Sequence, residues 1–232
     1  MKILPLISAG AAQALVTRSQ DRFMALHGYA IEPTFGAVGL MKDKLLGGAP
    51  CDVLILTDAL IAQLTSSGKL AAGTAHALGV VKTGIAVKTG EARPAVATRA
   101  ELTAALKAAS GIYFPDAFKS TAGIHFMNVL KQLGLDLELA DRLRTYPNGA
   151  AAMTAMAKST ETGLLGCTQD TEILYIEGVD LIADLPEEFE LATVYTAAVC
   201  SNAKEPQTAA ELIALLAGSE SATLRIECGF ED

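Results

Sequence analysis

Ile3-Leu4-Pro5-Leu6-Ile7-Ser8-Ala9-Gly10-Ala11-Ala12-Gln13-Ala14-Leu15 runs an apolar stretch into a small-residue turn and then into a helical pattern. The strand reading covers Ile3–Ser8. The following helix places Ala14, Leu15, Phe23, Met24 and Leu26 at helical spacing and stops at His27-Gly28, where a glycine suits the helix terminus. A strand, a tight turn and a helix make one layer of an α/β fold.

The same alternation continues outward. Tyr29–Phe35 reads as a second strand, and Gly36-Ala37-Val38-Gly39 turns into a helix through Leu45-Leu46. Gly47-Gly-Ala-Pro-Cys-Asp-Val-Leu-Ile-Leu-Thr-Asp58 is a helix end followed by a short buried strand, with Thr57 or Asp58 as the next N-cap. Further strands are expected at Gly79–Val87, Ile112–Phe114, Gly163–Cys167, Val179–Leu185 and Leu191–Val199. Helices are expected at Arg99–Ala108, from Thr121 to Leu133, from Gly149 to Lys158, and at Pro206–Gly218. Alternation of this kind implies mainly parallel sheets covered on both faces. The middle block holds enough units for a sheet of its own. The expected plan is therefore discontinuous, with residues 1–82 and 195–232 in one lobe and 84–192 in the other.

Composition narrows the function classes. The chain has 232 residues, 51% of them hydrophobic, and a net charge of −8. That charge, with no basic stripe, argues against nucleic acid as a partner, because such binding rests on clustered Lys and Arg. No segment reaches the ~20 apolar residues that span a bilayer, so no membrane insertion is expected. Met1-Lys2 leads straight into the first strand with no basic, apolar and small-residue leader. A cytoplasmic location is expected, or a periplasmic one if this is a mature form. Cys51, Cys167, Cys200 and Cys228 show no CxxC spacing, and His27, His76 and His125 are dispersed. Buried free thiols are the reading, with no metal site and no cofactor.

Open α/β sheets bind ligands where strands end and helices begin, because unpaired N–H groups and the positive dipole end collect there. Four small-residue turns meet that description: Ser8-Ala9-Gly10-Ala11, Gly36-Ala37-Val38-Gly39, Ser120-Thr121-Ala122-Gly123 and Asn148-Gly149-Ala150. Each alone also reads as an ordinary cap. Candidate ligand contacts are Ser8, Gly10, Gly39, Thr121, Ala122, Gly123, Asn148, Gly149, Thr168 and Gln169, with Thr171 nearby. Lys82, Asp116 and His125 are polar residues at strand ends or helix starts that could carry protons. Lys82 could equally be a solvated strand-end lysine, Asp116 a turn residue and His125 a packing residue. There is no Gly-x-Ser-x-Gly elbow, Walker A loop or HExxH.

Taken together, the opening strand–turn–helix, the Gly47–Asp58 stretch, Phe114-Pro115-Asp116 with Thr121-Ala122-Gly123, and the returning strand Val194-Tyr-Thr-Ala-Ala-Val-Cys200 resemble the type II periplasmic binding proteins. Within these, the chain looks most like the molybdate-binding ModA-like branch. The resemblance implies a two-lobed α/β fold that clamps a small anion in the cleft between lobes, with an ABC transporter as partner if the chain is exported. In that branch the first turn carries a Ser pair and the second resembles Gly-Ser-Ser-Gly. Here Ser8 is followed by Ala9, and the second turn is Gly36-Ala37-Val38-Gly39. A site without those hydroxyls should reject molybdate and suits a di- or tricarboxylate better. Some relatives of the branch are cofactor-free isomerases of the aconitate isomerase type. The resemblance therefore also implies a second reading, in which Lys82, Asp116 or His125 moves a proton.

Overall fold

The computed structural model describes residues 2–231. In chain order the elements are β1 (Lys2–Ala9), α1 (Gln13–His27), β2 (Tyr29–Gly36), α2 (Val38–Leu46), β3 (Val53–Thr57), α3 (Asp58–Ser66) and β4 (His76–Lys88). They continue with α4 (Arg99–Ala108), β5 (Gly111–Pro115), α5 (Thr121–Gln132), β6 (Leu143–Tyr146), α6 (Gly149–Lys158), β7 (Leu164–Gln169), α7 (Asp170–Leu174) and β8 (Val179–Asp184). The chain closes with β9 (Ala192–Val199), α8 (Pro206–Ala217) and α9 (Ala222–Glu227). Contacts divide it into two compact units, residues 1–81 with 193–232 (unit 1) and residues 82–192 (unit 2).

In unit 1, β1 lies between β2 and β3 and is parallel to both, with Ser8 opposite Phe35 and Ile55. The carboxyl ends of these three strands therefore share one edge. Their side chains are apolar because both faces are covered: Leu4, Leu6, Ile7, Val53, Leu54, Ile55 and Leu56 are all buried. In α1, Leu15, Ser19 and Phe23 form the buried i, i+4 stripe. Leu26, in the last turn, is exposed. β9 pairs antiparallel with β3, from Val53 opposite Val199 to Thr57 opposite Tyr195.

In unit 2, β5 is parallel to β6 and β7, while β4 is antiparallel to β7 and β8. Strand alternation builds the two faces. Ile112 and Phe114 join the core with Leu102, Leu106, Phe126, Val129 and Leu130. Tyr113 points the other way, to Ala152, Met153 and Met156 of α6. The Phe114 and Phe126 rings meet edge to face at 5.3 Å, a favoured aromatic geometry. α4 starts with a capping box in which Thr98 and Glu101 each satisfy the other's backbone N–H.

The expectation of mainly parallel sheets needs correction, since both units are mixed. β4 and β9 are the strands through which the chain leaves and re-enters unit 1. They stand outside the strand–helix successions that make the other strands parallel; β9 runs against β3, and β4 runs against β7 and β8.

One buried carboxylate ties unit 1 together. Asp52, 2% exposed, precedes β3. Its N–H donates to Pro5 O at 2.8 Å, and its carbonyl accepts from Cys200 N at 2.9 Å. Its carboxylate accepts from the N–H groups of Lys204 and Glu205, both at 3.0 Å, just before Pro206 opens α8. Removing that carboxylate strips two donors of a charged acceptor. Asp52→Ala should lower unfolding free energy by ~1–3 kcal/mol in urea titration, and Asp52→Asn, which keeps one acceptor, should lower it less.

Candidate functional site

The turns at the carboxyl edge of unit 1 are small and carry little side-chain chemistry. Ser8 is fully buried, and its hydroxyl donates to the carbonyl of Ala9 at 2.8 Å. Gly10, Ala11 and Ala12 form a buried 3₁₀ turn ahead of α1. Ala37 is the N-cap of α2, in extended conformation, and Thr57 is the N-cap of α3; no side chain caps any of these helix starts. Gly39 lies in the first turn of α2, half-buried. Backbone N–H groups are thus the polar chemistry these turns offer.

Unit 2 differs, because its helix starts are satisfied from within. Asp116, after β5, accepts from the N–H groups of Phe118 and Lys119 at 2.7 and 2.8 Å, the pattern of a turn-making aspartate. Ser120 caps α5, with Oγ accepting from Gly123 N at 3.5 Å. Ala122 is buried beside a half-buried Thr121. A Cβ on Gly123 would lie 2.3 Å from the carbonyl oxygens of Pro115 and Asp116, so only glycine lets the helix start against the strand end. His125 Nε2 lies 2.7 Å from the carbonyl of Phe189, to which it donates. Lys82 Nζ is 3.6 Å from the Asp184 carboxylate. All three candidate proton carriers therefore make internal contacts within unit 2.

The start of α6 is the most elaborate. Asn148 Oδ1 accepts from Ala151 N at 2.8 Å. Glu172, only 5% exposed, accepts from Thr168 Oγ1 at 2.6 Å and from the backbone N–H groups of Gly149, Ala150 and Gln169. A Cβ on Gly149 would fall 2.0 Å from Glu172 Oε2 and Thr168 Oγ1. An internal carboxyl group thus occupies the helix N-terminus where a ligand anion was expected. Glu172 was not singled out from sequence, and the Thr168–Glu172 spacing of four was the available signal. Beside it, Gln169 donates through Nε2 to Thr83 Oγ1 at 3.3 Å. Gln169 Oε1 and Thr171 Oγ1 are buried and have no hydrogen-bond partner among the described residues.

A cavity of about 570 Å³ lies elsewhere in unit 1, at the amino ends of its strands near Ile3, Pro5 and Asp52. Among the described residues no three His, Cys, Asp or Glu side chains converge as a metal ion would require. Among the described residues no helix is long and apolar enough to cross a membrane.

Burial holds the Glu172 carboxyl above the usual glutamate value of 4.5, against the opposing pull of its four hydrogen-bond donors. A raised folded-state pKa contributes stability that is full below the unfolded value and is lost as pH rises through the folded value. Glu172→Gln, which does not titrate, removes that dependence. The stability of the wild type relative to Glu172→Gln should therefore fall as pH rises above about 4.5 and then level off. Urea titrations of both proteins across that range measure it. A relative stability that climbs with pH would show the donors to outweigh burial.

Three likenesses bear on identity. A curated aconitate isomerase from Pseudomonas sp is 24% identical over 183 residues, spanning 78% of this chain and 68% of that protein. The periplasmic molybdate-binding protein of Azotobacter vinelandii superposes with a TM-score of 0.81 at 17% identity, covering 99% of each chain. PEB3 of Campylobacter jejuni, in its L-phospholactate-bound structure, superposes at 0.70 with 12% identity and 99% of each chain. At such identities the two structures show the fold alone. The bacterial extracellular solute-binding protein family matches residues 4–231, and the chain belongs to it.

Proposed function

We propose that this solute-binding protein takes a small di- or tricarboxylate and not molybdate, recognised through carboxyl-edge turns. The observation that carries the reading is the side-chain chemistry of the α1 and α2 starts. Ala9 and Ala37-Val38 stand where the ModA-like pattern supplies hydroxyls, and no side chain caps either turn. A bare tetrahedral oxyanion needs a full shell of donors. A polycarboxylate spreads its charge over several helix starts, each contributing about 0.3–1 kcal/mol or more when desolvated. Ser8, Gly10 and Gly39 would act from unit 1. Thr121, Ala122, Gly123 and Gln169 would act from unit 2, where Gln169 Oε1 and Thr171 Oγ1 hold unused polar capacity, while Asn148, Gly149 and Thr168 already serve the α6 start and Glu172. The phospholactate-bound PEB3 structure and the aconitate isomerase relative support a small organic acid. The family's extracellular description and an ABC-transporter binding domain of Clostridium difficile with TM-score 0.70 support a transporter as partner.

Thermal shift and calorimetry with citrate, cis- and trans-aconitate, succinate, phosphate, sulfate and molybdate test this reading. A polycarboxylate should raise the melting temperature in a concentration-dependent way, while molybdate leaves it unchanged. Micromolar molybdate binding would overturn it.

The aconitate isomerase relative favours a second reading, a cofactor-free isomerase that moves a double bond by removing one proton and delivering another. Asp116 and His125 flank the α5 start, and Lys82 opens unit 2. Incubation with cis- or trans-aconitate, followed by NMR, checks for interconversion. If turnover occurs, replacing the proton carrier by Asp116→Asn, His125→Gln or Lys82→Met should cut the rate by ~100-fold or more with little change in affinity. No turnover leaves the binding reading alone.

A further inference from the structure

Two of the four cysteines meet in unit 1. Cys51 precedes β3 and Cys200 follows β9, 149 positions apart in sequence, yet their sulfurs lie 3.3 Å apart. Both thiols are reduced and buried. The backbone around them is held in place. Cys200 N–H donates to Asp52 O at 2.9 Å, and Cys51 Sγ donates to Val53 O at 3.1 Å. Both cysteines line a cavity of about 570 Å³, together with Glu32, Asp52, Lys69 and Lys204. Lysines and carboxylates both face it, so it does not select strongly by charge. The other two cysteines have different surroundings. Cys167 is in the core of unit 2, and Cys228 Sγ lies 3.8 Å from the Arg18 guanidinium.

We propose that Cys51 and Cys200 form a reversible intramolecular disulfide by exchange with a low-molecular-weight disulfide that enters this cavity. Cys51 is the more exposed of the pair, 8% against 4%, and reacts first. Its thiolate attacks one sulfur of RS–SR, forming a mixed disulfide and releasing RS⁻, which takes up the proton that Cys51 lost. Cys200 then gives up its proton and attacks the Cys51 sulfur, expelling a second RS⁻ that is protonated in turn. Two protein thiols are oxidised by two electrons, and one RS–SR is reduced to two RSH. The hydrogen bond to Cys51, then burial, raises the Cys200 thiol above its ordinary range. Cys200 therefore keeps its proton until the mixed disulfide is beside it, which fits its role as the resolving thiol. The sulfurs need to close only from 3.3 Å to ~2.05 Å. The bond would staple residues 193–232 to residues 1–81 within unit 1, an extracellular setting being one in which such bonds persist.

The test uses the folded full-length chain, reduced and then exposed to oxidised glutathione without denaturant. Remaining thiols are alkylated, and the products are mapped by mass spectrometry without reduction. The expected result is loss of two of the four reactive thiols, no retained glutathione, and one cross-linked peptide pair containing Cys51 and Cys200. The melting temperature should rise by roughly 5–15 °C and return on treatment with a dithiol. Cys51→Ser and Cys200→Ser should each abolish both changes. Persistence of four thiols, a stable glutathione adduct on Cys51, a link involving Cys167 or Cys228, or a link between two molecules would each overturn the proposal.

Discussion

The antiparallel pairing of β9 with β3 is the contact on which unit 1 depends. It returns the chain, after the whole of unit 2, to a strand laid down far earlier, with Val53 opposite Val199 and Thr57 opposite Tyr195. Such a contact carries a large loop-closure cost, and it is secured along its length. Leu54, Ile55, Leu56, Ala197 and Ala198 are buried on it. Thr196 Oγ1 donates to Asp58 at one end, at 2.9 Å, and Asp52 gathers the Lys204 and Glu205 amides at the other. The Cys51–Cys200 approach is a consequence of the same pairing, since those residues stand just outside its last rung.

The two units treat their helix starts in opposite ways. In unit 1 the turns before α1, α2 and α3 carry no capping side chain, so the positive end of each helix is left to backbone N–H groups. In unit 2, Ser120 and Asn148 cap α5 and α6, and the Glu172 carboxyl group fills the α6 start. The amides at the α1, α2 and α3 starts of unit 1 are therefore open, whereas those at the α6 start of unit 2 already face the Glu172 carboxyl group.

Fold and ligand are separable here. A likeness of 0.81 to a molybdate-binding protein comes with 17% identity, and a shared scaffold supports different chemistries through the residues grafted on its turns. Ala9, Ala37 and Val38 are where this chain departs from hydroxyl-rich recognition.

Local pattern alone determined the elements and the places where they end. The apolar run Ile3–Ser8 with its Gly-Ala turn, the buried strands β3 and β5, in which only Thr57 is partly exposed, and the start of α5 at Thr121 could be read directly, because period and capping act over a few residues. The positions of the small-residue turns at strand ends were legible for the same reason. Three features depended on tertiary structure. β4 and β9 run against their neighbours, Glu172 occupies the α6 amides, and Asp52 and the Cys51–Cys200 pair join segments about 150 residues apart. The first and third are pairings between residues remote in sequence, and the second brings Glu172 to the Gly149 and Ala150 amides of another element; each is settled by which group finds its complement once the chain has closed, a choice that no local periodicity encodes.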